Sequence, residues 1–356
     1  MQQKRNGRLW QLDFWRGVAA WAVVIQHVYD HYANILPAPY WLGYFVRGIN
    51  VPLFFLISGY LGWDDLHRPF NVFFKKKTSR LFLPYCSWSL LAIAAKFFTG
   101  AMWSRPYDAL VLLVDTLFYG RSMWFFLSLY LAFLLARTFL WLNKKASLLS
   151  VSLIIVFCLL IQDRTLPLTL GHTGQMLPFF FLGLFARAKT NFVSSFFPSV
   201  ERWSKKNFYL YGFAILGMTV AVWGTYAYEG NVSAQWFLRL PLQLLITICT
   251  MYLLLPFANL FWVKTSILKM GNFSMEIYGI HMMLISYFSL PIPQAILSGN
   301  QVLSSVVLLV WPAVICGLCC FLAQFLLHRI PLYRWLMLGD FTKEPSKPNI
   351  RGNANE

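Results

Sequence analysis

The sequence predicts an all-α polytopic membrane protein with about ten transmembrane helices and both termini in the cytoplasm. Of its 356 residues, 58% are hydrophobic and only 12% are charged, whereas soluble domains contain about 25% charged residues. Apolar stretches close to the roughly 20 residues that a bilayer-spanning helix needs recur along the whole chain. A water-soluble domain cannot bury that much apolar surface, so we expect a single membrane domain.

The distribution of basic residues supports this topology. With the N-terminus inside, the connections assigned to the cytoplasm hold most of the 30 Lys and Arg residues, as the positive-inside rule requires. The outside connections keep Arg105, Arg121, Arg164 and Arg239. Residues 110–119 are too short to cross and carry an aspartate, so we expect an interfacial or re-entrant segment there. The predicted spans are residues 12–32, 40–63, 78–98, 123–142, 147–161, 170–187, 208–228, 236–257, 274–292 and 302–327.

The chain divides into a membrane domain and two polar ends. We expect a cytoplasmic N-terminal segment over residues 1–11, the membrane domain over 12–338 and a polar cytoplasmic tail over 339–356. The net charge of +17 does not indicate a nucleic-acid partner, because the basic residues are scattered between apolar spans. The six cysteines lie in predicted spans without matching histidines, so we expect packing residues and no metal site.

The first predicted helix carries two ionisable residues on one face. Placing an ionisable side chain inside a span costs about 2.5 to 3.5 kcal/mol of membrane-insertion free energy, so such residues are candidates for a function. Arg16 and His27 are eleven residues apart, and at about 100° per residue they project from one face about 16 Å apart along the axis. Arg16 then lies near the cytoplasm and His27 lies deeper, towards the outer half.

This spacing fits a group transfer across the membrane, but it also fits a purely structural role for both residues. A cation could hold an anionic donor from the cytoplasm, while a histidine, whose pKa is ordinarily near neutral, could deprotonate an acceptor hydroxyl. Alternatively, His27 is a hydrogen-bonded packing residue, and Arg16 reaches the interface with Asp13 as its partner one turn away. The spacing alone leaves both interpretations open.

The second and third spans add two further candidate sites. Pro52 and Gly59 interrupt an apolar helix, and such breaks free backbone groups that could line a cavity together with Ser58. Close helix packing through Gly59 is the alternative. The basic run that includes Lys77 and Arg80 could attract phosphates of a donor, but it also satisfies the positive-inside rule and could touch anionic lipid headgroups.

A carboxylate and a second histidine lie in the ninth predicted span. Glu276 and His281 are five residues apart, about 140° round a helix, so we expect no direct dyad between them. His281 could instead face His27 or the substrate from across the bundle. The other histidines are weaker candidates, because they lie in a loop or near the predicted ends of spans: His67, His172 and His328.

At these residues the chain resembles the acyltransferase 3 family of bacterial membrane proteins. That family includes O-acetyltransferases of lipopolysaccharide O-antigen, enterobacterial common antigen and other surface polysaccharides. Each matching motif is short, but together they occur in the family's order over residues 12–327. The matches are Leu12-Asp13, Arg16-Gly17 and His27, then Phe54-Phe55 and Ser58-Gly59, then Lys77, Arg80, Pro84 and Tyr85, then Trp124-Phe125, and finally Ser274, Tyr278 and His281.

The resemblance implies a membrane O-acyltransferase of the bacterial cytoplasmic (inner) membrane. It implies an acyl-CoA, usually acetyl-CoA, as a cytoplasmic co-substrate with no bound cofactor, and a sugar hydroxyl of a surface glycan or lipid-linked glycan precursor as acceptor. Arg16 and His27 would be the catalytic pair. The chain departs from the family at Asn272, where many members have an acidic residue shortly before the serine that corresponds to Ser274. Glu276 could supply the missing carboxylate. The implied substrate-binding residues are Asp13, Ser58, Lys77, Arg80, Tyr85, Trp124, Glu276 and His281.

A transporter or flippase for a glycan or an acylated intermediate is the rival function. Ionisable residues within spans also mark substrate pathways, so the same residues support it. The sequence contains no evident inverted repeat or pair of broken helices, which counts against a secondary transporter.

Overall fold

The computed structural model describes most of the membrane domain. It covers residues 10–32, 40–98, 106–120, 123–143, 165–188, 205–227, 232–254, 260–287 and 300–341, with isolated positions 158, 161, 163 and 257. Within these residues the regular structure is helical and no strand occurs, which confirms the all-α prediction. The polar ends, residues 1–9 and 342–356, and most of the predicted span 147–161 lie outside the described residues.

Thirteen described α-helices follow one another along the chain. The first six are α1 (Trp10–Tyr32), α2 (Tyr40–Leu66), α3 (Phe70–Lys77), α4 (Leu83–Phe98), α5 (Pro106–Leu117) and α6 (Trp124–Asn143). The others are α7 (Leu170–Ala188), α8 (Lys205–Ala227), α9 (Val232–Leu254), α10 (Phe261–Asn272), α11 (Ser274–Tyr287), α12 (Gln301–Phe325) and α13 (Pro331–Leu338). A π-helical turn, Thr78–Phe82, joins α3 to α4.

Four of the described helical segments are long and apolar enough to cross a membrane. They are Trp41–Leu66, Trp124–Leu142, Tyr209–Ala227 and Gln301–Arg329. On α8, large apolar side chains point outwards: Phe213 is 70% exposed and Trp223 is 68% exposed. Such exposure is costly in water but not in lipid, which is the solvent for these surfaces. The chain is therefore a helical membrane protein, while the count of ten spans and the orientation of the termini stay predictions.

Three segments between the predicted spans are also helical, namely α3, α5 and α10. The stretch expected to be interfacial or re-entrant lies largely in α5, a helix of 12 residues. Residues 261–272, which the sequence left as a connection carrying Lys264 and Lys269, form α10. The predicted spans assign no helix there; α10 packs along α1 and buries Ile267 and Met270. Tertiary packing, rather than a continuous apolar run, stabilises this helix.

Helix α1 lies at the centre of the bundle. It packs against α2, α10, α11 and α12, and its small residues Ala19 and Ala22 are almost completely buried. Two glycines allow its closest approach to a neighbour: a Cβ at Gly17 would collide with the carbonyl oxygen of Ile267, and a Cβ at Gly271 would collide with that of Asp13. Small residues let helix backbones touch in this way, which fixes α1 against α10.

Helix α2 is unbroken, contrary to the expected interruptions at Pro52 and Gly59. Proline cannot bond the carbonyl four residues earlier, but the Thr247 hydroxyl of α9 donates to that carbonyl, of Gly48, at 2.6 Å. Gly59 packs against α7, because a Cβ there would meet the carbonyl oxygen of Phe180. A threonine on a neighbouring helix therefore satisfies the group that proline frees, as is common in membrane bundles.

Candidate active site

A cavity of about 430 Å³ opens between the helices beside the C-terminal half of α1. Under the predicted topology, this half of α1 lies towards the outside. The lining is unusually polar for the interior of a membrane bundle, where polar and ionisable groups mark functional sites. Its polar and aromatic lining residues are Gln26, His27, Asp30, Tyr44, Arg47, Asn50, Trp124, His172, Thr225, Arg239, Gln243 and Tyr278.

His27, which lines this cavity, contacts a second histidine that is buried and outside the described lining. The rings of His27 on α1 and His281 on α11 lie with their centroids 5.0 Å apart. Nδ1 of His281 lies 2.8 Å from the carbonyl oxygen of Ile277, and only an N–H can donate to a carbonyl, so the proton of neutral His281 belongs on Nδ1. Nε2 of His281 is then an acceptor, and it is buried without a hydrogen-bond partner among the described residues. The prediction that His281 could face His27 across the bundle is confirmed.

An aromatic wall closes another side of the cavity. The rings of Trp124 on α6 and His172 on α7 are stacked at 4.2 Å with an interplanar angle of 18°. The Tyr278 hydroxyl accepts a hydrogen bond from the backbone N–H of Phe125 at 3.3 Å, which ties α11 to the start of α6. His172 was set aside as a residue near a helix end. The sequence could not show that His172 lines the cavity, because its stacking partner lies on a different helix.

Sequence reasoning also missed a charged group at the mouth of the cavity. Asp30 lies on α1 one turn beyond His27, and its Oδ1 accepts hydrogen bonds from Gln26 at 2.7 Å and from Arg47 at 3.4 Å. Arg239 on α9 lines the same cavity. Arg47 could have been found, since it is an ionisable residue inside a predicted span, which is the same observation that singled out Arg16.

Arg16 lies at the other end of α1 and is not among the residues lining the cavity. Its guanidinium donates to the Ser274 hydroxyl at 3.2 Å and pairs with Asp13 at 3.7 Å. Ser274 opens α11, and His281 lies two turns further along the same helix. Arg16 and His27 therefore face one partner helix, α11, from opposite ends.

The family model described as an acyltransferase domain, that of acyltransferase 3, matches residues 9–327, nearly the whole chain. The chain belongs to the acyltransferase 3 family. No curated protein and no solved structure is significantly similar to it. The family resemblance drawn from the sequence is thereby confirmed, and with it an acyltransferase activity.

In this acyltransferase, the acidic candidate on α11 has a partner other than His281. Glu276 is 3% exposed, and its Oε1 lies 2.6 Å from Nε2 of His328, in the turn that follows α12. This contact joins the N-terminal end of α11 to the end of α12. The expected absence of a direct dyad between Glu276 and His281 agrees with this geometry, since the two side chains contact different neighbours.

The basic cluster of the acyltransferase divides into a buried and an exposed part. The Lys77 ammonium lies 2.8 Å from Asp65 and 3.5 Å from the ring centroid of Phe133. Burial lowers the pKa of Lys77 to about 8 and outweighs the opposing attraction of Asp65. Arg80 is exposed. Of the two predicted donor-side cations, Lys77 is thus held in an internal ion pair, and Arg80 is accessible.

Tyr85 and Ser58, two other implied substrate-binding residues, are absent from the described lining of the cavity. The Tyr85 hydroxyl lies 3.1 Å from the carbonyl oxygen of Thr116 and 2.7 Å from that of Leu117, so it anchors the end of α5. Ser58 is partly buried on α2, next to the glycine that packs on α7. The structure places His27 and Trp124 on the lining of the cavity, with the ring of His281 beside that of His27. The other predicted residues lie outside the described lining.

Proposed function

We propose that this protein is a membrane O-acyltransferase of the bacterial inner membrane. It moves an acyl group, most simply acetyl, from a cytoplasmic acyl-CoA to a sugar hydroxyl of a surface glycan or of its lipid-linked precursor. The observation that carries the proposal is His27, which lines a polar cavity and contacts the buried His281, within a chain of the acyltransferase 3 family. The sugar acceptor and the CoA donor are inferences from the resemblance and from this chemistry.

In the proposed reaction His27 is the general base. It takes the proton of the sugar hydroxyl, the hydroxyl oxygen forms an ester bond with the thioester carbonyl carbon, and the carbon–sulfur bond breaks. The proton then passes from His27 to the leaving CoA thiolate. Nε2 of His281, an acceptor in this tautomer, can hold an N–H of His27 and so orient the other ring nitrogen of His27 towards the acceptor. His281 is then a positioning residue.

The donor is proposed to enter from the opposite end of α1. A CoA thioester carries its acyl group at the tip of a long flexible arm, with its phosphates at the far end. The phosphates would stay near the inner face, where Arg16 lies between Asp13 and Ser274 and where Arg80 is exposed. Cations that hold phosphates at a distance from the reacting atoms supply positioning energy to the transfer step.

The test is acyl transfer by purified protein in liposomes supplied with labelled acetyl-CoA and a glycan extract. His27→Ala should lower the rate by about 10² to 10⁴-fold, the range of a lost general base. His67→Ala is the matched control, because His67 is exposed at the end of α2, where it contacts the carbonyl and the ring of Trp63 and does not line the cavity. Mass spectrometry of the glycans identifies the acyl group from the mass added.

Normal acylation by His27→Ala protein would remove His27 from the mechanism. Movement of the glycan across the liposome membrane without any acyl transfer would favour a transporter instead.

A further inference from the structure

The outward cavity carries more positive than negative charge. Among its described lining residues, two arginines, Arg47 and Arg239, stand against one carboxylate, Asp30. The lining histidines, His27 and His172, can add positive charge but no negative charge. The described lining is therefore net cationic, and it lies next to the proposed base His27.

The position of these arginines is not explained by membrane topology. The positive-inside rule places Lys and Arg on the cytoplasmic side, yet Arg47 and Arg239 lie near the predicted outer ends of α2 and α9. Arg47 stands within the segment Trp41–Leu66, which is apolar enough to cross the membrane. An arginine at such a place has a cost, and a ligand that uses the charge is a reason to retain it.

The pairing of Arg47 leaves it suited to a ligand. Its contact with Asp30 is long, 3.4 Å, and the two side chains are 47% and 46% exposed. Exposed pairs of this kind contribute little to stability, so an anionic ligand can compete with Asp30 for the guanidinium. A guanidinium offers five N–H donors in a planar fork that matches carboxylate and phosphate oxygens. Asp30 lies one turn from His27, so an anion bound here would lie close to the reacting hydroxyl.

We propose that the acceptor of this enzyme is anionic and that Arg47 and Arg239 bind its negative group. The group is a carboxylate or a phosphate, carried either by an acidic sugar or by the phosphate that joins a glycan to its lipid. This inference rests on the proposed function in one respect, namely that the bound anion is the acceptor of acyl transfer. Binding of the anion itself does not require that acyl transfer occurs.

The experiment measures binding rather than turnover. Purified protein in nanodiscs of uncharged phosphatidylcholine is titrated with methyl glucuronide, with methyl glucoside as its neutral counterpart, with farnesyl phosphate as a lipid phosphate, and with CoA. The double variant Arg47→Gln/Arg239→Gln is compared with wild type. Arg187→Gln is the control for loss of an arginine outside the cavity, because Arg187 pairs with Asp64 at the end of α7 and does not line the cavity.

Wild type should bind one or both anionic probes more tightly than methyl glucoside, and added salt should weaken that binding. The double variant should lose about tenfold or more in affinity for the same probe, the size expected for lost charge-assisted hydrogen bonds. Arg187→Gln should bind as wild type does. Preference for the glucuronide identifies an acidic sugar as the source of the charge, and preference for farnesyl phosphate identifies the lipid carrier.

Three results would overturn the inference. One is equal binding of charged and neutral probes by wild type, which needs no variant and so holds even if the double variant misfolds. Another is unchanged anion affinity in the double variant. The third is a loss of CoA affinity in the double variant as large as that for the anionic probes, since this would assign the arginines to the donor. Failure of acyl transfer in the liposome assay would instead overturn the proposed function and leave these binding results standing.

Discussion

The two ends of the bundle use the same kinds of charged residue in different ways. At the end that holds α3, Asp65 is paired with Lys76 at 2.6 Å and with Lys77 at 2.8 Å, and the Lys77 side chain is only 10% exposed. At the cavity beside His27, Asp30 and Arg47 are separated by 3.4 Å, and both side chains are nearly half exposed. Short buried pairs hold elements together, whereas long exposed pairs can open to a ligand. Burial, and not the presence of charge, therefore separates the structural cluster from the candidate binding site.

Of the three changes, removing Asp65 should lower the free energy of unfolding the most. Asp65→Ala leaves the buried Lys77 ammonium without its carboxylate, which should cost about 3 to 5 kcal/mol of the free energy of unfolding. Thermal unfolding in detergent, followed by circular dichroism, measures the loss. Asp64→Ala is the control, because the neighbouring Asp64 side chain is 70% exposed and meets Arg187 at 3.6 Å. Its loss should be within about 1 kcal/mol, and equal losses for the two variants would show that burial does not distinguish the pairs.

Changing His281 tests the cavity side of the comparison. We expect the change to lower kcat and to leave the affinity for the acceptor nearly unchanged. His281→Phe keeps an aromatic ring beside His27 but removes the acceptor nitrogen. A lost hydrogen bond of about 1.5 to 3 kcal/mol to a group that becomes charged should lower kcat about 10- to 100-fold. KM for the acceptor and the melting temperature should change little. His281→Gln, which keeps an acceptor oxygen, should recover part of kcat; equal kcat for both variants would contradict a positioning role.

Removing the Thr247 hydroxyl, which donates to the Gly48 carbonyl of α2, should give the smallest of the three effects. Thr247→Val keeps the shape of the side chain but removes the donor to the Gly48 carbonyl, which should cost about 1 to 2 kcal/mol of unfolding free energy. In a Pro52→Ala background the new N–H at residue 52 can bond that carbonyl within the helix. The same Thr247→Val change should then cost less. Thermal unfolding of the four proteins tests this, and an equal cost in both backgrounds would rule out Thr247 as the compensating donor.

Local features of the sequence predicted several of these results. Apolar runs predicted helices at most of the places where the structure has them, since a backbone in lipid must satisfy its own hydrogen bonds. The angular spacing of Arg16 and His27 placed both on one face of α1, and the structure has both facing α11. The short motifs on five helices led to the correct family. Each of these depends only on residues close together along the chain.

The partners of side chains depended on contacts between distant segments. Periodicity could not show that Lys77 is buried against Asp65 and Phe133, and the exposed role expected for a basic cluster does not fit its geometry. Nor could it show that Thr247 would satisfy the carbonyl freed by Pro52, which kept α2 continuous where a break was expected. Both partners come from other helices of the bundle.

The sequence by itself determined the helical membrane class, the family and the face of α1 that bears the candidate base. Only the tertiary structure decided which charged residues share the cavity with His27: Arg47, Arg239 and Asp30 come from three helices. The physical reason is that helix formation and membrane insertion respond to local composition, whereas a cavity forms where several helices fail to pack completely. The residues around such a gap are selected by helix crossing and rotation, which no single segment encodes.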